Sequence, residues 1–229
     1  MKNIIFFLLF ITNLSLKSNA QEYSNIALDS ICQLSKEASL SIDISEKFIG
    51  TYSNYINSQV DLSRKDIKNQ INNITFKTNR YLYKNCEYPY SLKFLPLSDI
   101  IDTQNTFTFN EIEQLSKTLN SIKYENRLEI FIVTVEDYFP YESKEDFAYQ
   151  ILLQNRNTIF KKGSVVFLIN LKSKDIRIST DDIAKILIKD EFLESLLNEK
   201  VIPQFKEKNY YNGINNALIE LDTLTKNAL

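Results

Sequence analysis

The 229-residue chain contains no histidine and no tryptophan, one methionine, three glycines, four prolines and two cysteines. Without histidine it cannot build a Ser-His-Asp or Cys-His centre, a His-ligated zinc site or an imidazole general base. With only three glycines it has no Gly-rich loop to cradle phosphate. Lys and Arg number 27 against 29 Asp and Glu, a formal charge of -2. That mildly acidic balance argues against a nucleic-acid surface, which needs clustered cations.

What is present begins with Lys2, an apolar run from Ile4 to Ile11, and a short polar stretch ending Ser18-Asn19-Ala20. This is the three-part form of a secretory signal peptide, with cleavage expected after Ala20. The run is well short of the roughly 20 apolar residues that cross a bilayer. Losing residues 1–20 removes Lys2 and Lys17 and no acid, taking the charge from -2 to -4. The expected location is therefore periplasmic or secreted, with the membrane involved only through the export signal. In an oxidising compartment Cys32 and Cys86 are expected to pair, and closing a loop of that length stabilises a fold by roughly 4 kcal/mol. Two buried, unpaired thiols are the alternative.

Residues 21–95 read as a helical region. Ile26, Ile31, Leu34 and Ala38 form one stripe near the 3.6 period; Phe48, Tyr52, Tyr55 and Val60 form a second; Ile67, Ile71, Ile74, Tyr81 and Leu82 form a third. Their aromatic residues are expected in a helical seam rather than against a ligand. Asn73-Ile74-Thr75 matches a glycosylation acceptor but falls inside the third predicted helix. Pro89 and Pro96 mark the expected boundary, leaving 96–229 as the second domain.

That domain opens with Thr108-Phe109-Asn110-Glu111, a capping-box pattern ahead of a helix with Ile112, Leu115, Leu119 and Ile122 on one face. Leu128 to Val135 is apolar and β-branched almost without interruption, as in a central strand covered on both sides. A helix from about Lys144 to Gln154 leads to a second buried strand, Ser164 to Asn170. Strand, helix, strand predicts a parallel crossover. Ile176 and Ile178 alternate with Asp175 and Arg177, predicting a third strand that hairpins back through Lys172-Ser173-Lys174. Helical patterns follow at 183–188, 192–197 and 211–225. The expected class is α/β: a sandwich with a mixed central sheet flanked by helices, preceded by a helical region.

With its elements in this order, the stretch from Ile101 to Leu224 resembles the TPM domain family. The resemblance is carried by Asp102 before the capped helix, the Ile130 to Val135 strand, Lys162-Gly163 leading into an apolar strand, and the closing Pro203, Phe205, Tyr210, Tyr211 and Gly213. Where the family runs from the third strand into a Gly-x-Gly turn with an acidic residue, this chain has Ser179-Thr180-Asp181-Asp182. Both glycines, and their freedom at positive φ, are absent, while acidic side chains remain.

Ligands of open α/β sheets bind beyond the carboxyl ends of strands. Asp181 and Asp182 follow the third predicted strand, Glu136 and Asp137 the first, and the family layout would bring Asp102 close; Asp190 and Glu191 start the next helix. Carboxylates gathered at such an edge suit Ca2+, with Mg2+ the second choice. Asp102, Asp181, Asp182 and Asp190 are the expected ligands, although Asp181 and Asp190 also stand where helix N-caps belong. Two functions follow. The first is an exported, cation-binding accessory or interaction module that engages an unidentified envelope protein, with Tyr210 and Tyr211 as its contact. The alternative, suggested by members of the family, is a metal-dependent phosphatase using Asp102 or Asp181, with Arg177 or Lys185 nearby.

Overall fold

The computed structural model describes residues 28–34, 42–86, 98–125, 128–155 and 162–227. The expected leader, residues 26 and 38 of the first stripe, and the boundary between Pro89 and Pro96 lie outside them. Two compact units are present, one of residues 1–60 and 81–91, the other of 61–80 and 92–229. Among the described residues no helix is long and apolar enough to cross a membrane.

The helical unit contains α1 (28–34), α2 (Ile42–Ser58) and the end of α3 (Ile67–Asn85). Ile31, Phe48, Ile56 and Leu82 are buried in it. Cys32 and Cys86 form a disulfide with Cα atoms 5.1 Å apart, tying α1 to the residue that follows α3, as the sequence suggested. The third predicted stripe is only partly observed. Leu82 is buried, but Ile67 and Tyr81 are exposed, and Phe76 is buried instead. The reason is that α3 serves two units: its residues up to Arg80 belong to the α/β unit and those from Tyr81 to the helical one. A single stripe cannot meet both demands.

The α/β unit is a four-stranded sheet in the order β1-β2-β3-β4. Its strands are β1 (Ile100–Asp102), β2 (Leu128–Thr134), β3 (Gly163–Asn170) and β4 (Asp175–Thr180). The first three are parallel and β4 is antiparallel to β3, with Asp102 opposite Thr134, Thr134 opposite Ile169, and Val165 opposite Thr180. Every residue of β2 and β3 is buried, because helices cover both faces.

Alternation divides the strands cleanly. Ile130, Ile132, Val165, Phe167 and Ile169 pack with Ile112, Leu115, Leu119 and Ile122 of α4 (Phe109–Glu125) and with Ile214, Leu218 and Leu221 of α9 (Tyr210–Asn227). Phe131, Val133, Val166 and Leu168 pack on the opposite face with Phe147, Ala148, Ile151 and Leu152 of α5 (Lys144–Asn155) and Phe76 of α3. The capping box forms as expected: Thr108 N–H and Oγ1–H donate to Glu111 Oε2 at 2.7 and 2.8 Å.

After β4 come α6 (Ala184–Leu187), α7 (Asp190–Leu196), a π turn (Leu197–Val201), α8 (Ile202–Lys206) and α9. Gly163 is required where β3 begins, because a Cβ there would lie 2.8 Å from the Cα and N of Ala184 in α6.

Candidate ligand cleft and the two ends of the sheet

At the carboxyl end of the parallel strands, polar side chains are spent on one another. Asp102 is 3% exposed. Its Oδ1 accepts from Thr106 N–H at 2.9 Å and Thr134 Oγ1–H at 2.7 Å, and its Oδ2 accepts from Phe107 N–H at 2.9 Å. Asn73 of α3 clamps the same residue's backbone, donating to Asp102 O and accepting from Asp102 N–H, both at 3.0 Å. That amide is thus engaged in the fold rather than presented as a glycan acceptor. Gln104 Oε1 accepts from Leu171 N–H, and Asn170 bridges Glu136 O and Ser173 N–H. Asp175, the first residue of β4, accepts from Lys144 Nζ at 2.7 Å and Tyr138 Oη–H at 3.2 Å.

The next loop is fixed by Arg80. Its guanidinium lies 5.6 and 5.5 Å from the ring centroids of Phe76 and Phe147, donates to Phe139 O at 2.9 Å and pairs with the Asp137 carboxylate. Cation–π contact, the hydrogen bond to Phe139 O and the Asp137 pair hold this side chain in one place, against the desolvation that lowers its pKa.

Beside the end of β3 opens a cleft of about 610 Å³, a volume typical of ligand sites. Leu171, Ile176, Ile202 and Phe205 give it apolar walls, and Lys174 of the β3–β4 turn faces the same space as Lys206 and Lys208 at the end of α8. Asn170, Asp175 and Tyr210 complete the lining. The local sequence builds this shape. Pro203 occupies the first turn of α8, where no N–H is missed. The helix then closes through Lys208 N–H to Phe205 O and Asn209 N–H to Gln204 O, at 3.0 and 2.9 Å. Lys208 takes φ 62° to make that closure, and Lys174 takes φ 56° in the β3–β4 turn.

Tyr210 then starts α9 with its ring edge-on to Phe205, centroids 5.1 Å apart. Gly213 allows this packing, since a Cβ there would lie 2.9 Å from the Phe205 ring. Of the two tyrosines expected at a contact, Tyr210 lines the cleft, while Tyr211 is half-buried against the apolar core. The lysines were missed in the sequence because Lys174 is some thirty residues from the others and nothing in its spacing connects them.

The expected cation set does not form one site. Because β4 runs antiparallel, its carboxyl end lies at the amino ends of β2 and β3, where Asp181 N–H donates to Ser164 O at 3.0 Å. Asp102 is level with Ile169, so five residues of β3, or roughly 16 Å, separate Asp102 from Asp181 along the strands. Asp181 Oδ1 caps α6 by accepting from Ala184 N–H at 2.8 Å. Asp182 is exposed, and Asp190 pairs at the surface with Lys185 at 2.9 Å, an interaction that raises the Lys185 pKa. Among the described residues no group of three or more Asp, Glu, Cys or His is placed to hold a metal ion.

That amino end nevertheless has unmet polar demand. Among the described residues, Asp181 Oδ2 and the buried Ser164 Oγ find no hydrogen-bond partner. Nearby, Lys123 lies 3.2 Å from Glu129 and 3.8 Å from Asp99. Burial lifts the Asp99 carboxyl above its ordinary range, against the pull of Lys123. For Lys123 burial acts downward, but Asp99 and Glu129 outweigh it and the ammonium is favoured.

A mixed four-stranded sheet between helical layers, with a cleft at the carboxyl end of its parallel strands, defines an α/β sandwich. The chain belongs to the TPM domain family, which matches residues 100–224, just over half its length, from β1 to α9. Among solved structures it is similar to the N-terminal domain of a protein from P. gingivalis, with 18% identity, 57% of this chain and 83% of that one covered, and a TM-score of 0.50. It is also similar to the BA42 protein from Bizionia argentinensis, with 16% identity, 55% and 86% covered, and a TM-score of 0.48. No curated protein matches the chain. At such identity the first likeness shows the fold alone.

Proposed function

We propose that the protein is an exported accessory of the cell envelope whose TPM domain works as an interaction module, capturing a segment of a partner in the cleft beside α8 and α9. The cleft carries this reading. It lies beyond the carboxyl end of β3, where open α/β sheets take their ligands. It also pairs apolar walls with cations and an aromatic anchor, Tyr210. The Cys32–Cys86 bridge supports export, because disulfides persist in oxidising compartments.

The test isolates the tagged full chain from its own cells, as wild type and as Tyr210→Ala. An envelope protein recovered with the wild type and lost with Tyr210→Ala, while the variant still melts cooperatively above the working temperature, is the expected result. Identical recovery with both sinks capture at this cleft, and a tagged chain found only in the cytoplasm with reduced cysteines sinks export.

A second reading has its own observation. The unsatisfied Asp181 Oδ2 and Ser164 Oγ at the amino end are oxygen donors of the kind Ca2+ takes, with water completing the shell. The Asp102 oxygens, by contrast, each already accept from the fold. Melting in chelator and then in rising calcium should show a saturable increase that Asp181→Asn abolishes. A flat response removes calcium, and a flat response to magnesium as well removes metal-dependent hydrolysis of phosphate monoesters.

A further inference from the structure

Resting on the reading of the cleft as a capture site, we infer that its occupant is an extended acidic peptide, with at least two carboxylates flanking an apolar side chain. The polar groups lining the cleft divide into two kinds. Asp175 and Asn170 are already used within the fold, by Lys144 and Tyr138 and by Glu136 and Ser173. Lys174, Lys206 and Lys208 make no ion pair among the described residues, whereas Lys144, Lys185, Lys200 and Lys226 each have one. The groups left for a ligand are therefore cationic. They stand on two segments, Lys174 in the β3–β4 turn and Lys206 and Lys208 two residues apart where α8 closes. A chain with carboxylates spaced along it engages both segments. The apolar walls between them take the intervening side chain.

The backbone supplies an independent sign. Lys174 and Lys208 both hold positive φ, where Gly or Asn is the less costly choice. Local strain kept at two positions around one cleft indicates side chains retained for what they contact rather than for the turns they close. Glycine at these positions should leave the fold as stable or more so while removing the ligand contact.

The experiment uses the full chain and three fluorescent probes: an octapeptide alternating glutamate and leucine, the same peptide with lysine for glutamate, and a labelled dodecanoate. Anisotropy should show saturable binding of the first probe, weakened by salt. Binding should be about tenfold weaker in the Lys174→Gly, Lys206→Gln, Lys208→Gly triple variant, whose melting temperature is unchanged or raised. Equal affinity for wild type and triple variant overturns the inference, as does equal binding of the lysine probe or binding of dodecanoate alone. If the glutamate probe fails while Tyr210-dependent recovery of an envelope protein persists, the acidic peptide is wrong and capture stands. If both fail, both readings fall.

Discussion

The two ends of the parallel strands treat their polar groups differently. At the carboxyl end, Asp102, Thr134, Gln104, Asn170 and Asp175 are all hydrogen-bonded to neighbouring loops. At the amino end, Asp181 is half-satisfied, Ser164 Oγ is orphaned, and Asp99 and Glu129 share one lysine. The carboxyl end keeps one buried orphan of its own, Thr106 Oγ1, while its other polar groups tie the loops together, and the cleft opens beside them with three lysines in its lining. Carboxylates drew attention in the sequence, yet Asp102 and Asp175 at the carboxyl end are tied into the fold, and the cleft beside them carries three lysines.

This contrast can be broken by substitution. Asp102→Ala strands two backbone N–H groups and a threonine hydroxyl, so a loss of roughly 3–5 kcal/mol is expected in chemical denaturation. A loss under 1 kcal/mol would show that the rim does not depend on it. Gly163→Ala drives a Cβ into the backbone of Ala184, and should cost about 1–3 kcal/mol by the same measurement. Asp181→Ala removes only a helix cap and should cost about 1 kcal/mol; a cost matching that of Asp102→Ala would erase the difference between the ends.

The smallest effect carries a sign. The folded-state pKa of Asp99 is raised, chiefly by burial, so its charged form is less favourable folded than unfolded. Stability from this group is present below its unfolded value and lost as pH rises through the folded one. Asp99→Asn should therefore raise the melting temperature slightly at pH 7, with the gain shrinking toward zero as pH falls below the ordinary carboxylate range of about 3.9. A variant less stable at pH 7 would mean that the ion pair with Lys123 outweighs burial.

Much of the fold was legible because its signals are local. The uninterrupted β-branched runs of β2 and β3, the alternation in β4 and the Thr108–Glu111 box each name an element without reference to the rest of the chain. β1 was not legible: three residues carry no period, and its strand character comes from pairing with β2. The Asp102–Asp181 grouping failed for a topological reason. The turn at Lys172-Ser173-Lys174 already implies an antiparallel β4, and an antiparallel strand carries its carboxyl end to the opposite edge of the sheet. Tyr210, expected in the sequence at a contact, is half-buried against the core and lines the cleft, whereas the lysines beside it become a set only when the β3–β4 turn and α8 are brought together.

The central claim is that ligand enters the cleft and not an acidic edge. Amide chemical shifts of the full chain, recorded while the glutamate–leucine peptide is added, test it residue by residue. Shifts clustered at 171–176 and 202–210, with 99–103 and 180–185 unmoved, are predicted. Shifts centred on 180–185 or around Asp102, with the cleft silent, would contradict the account.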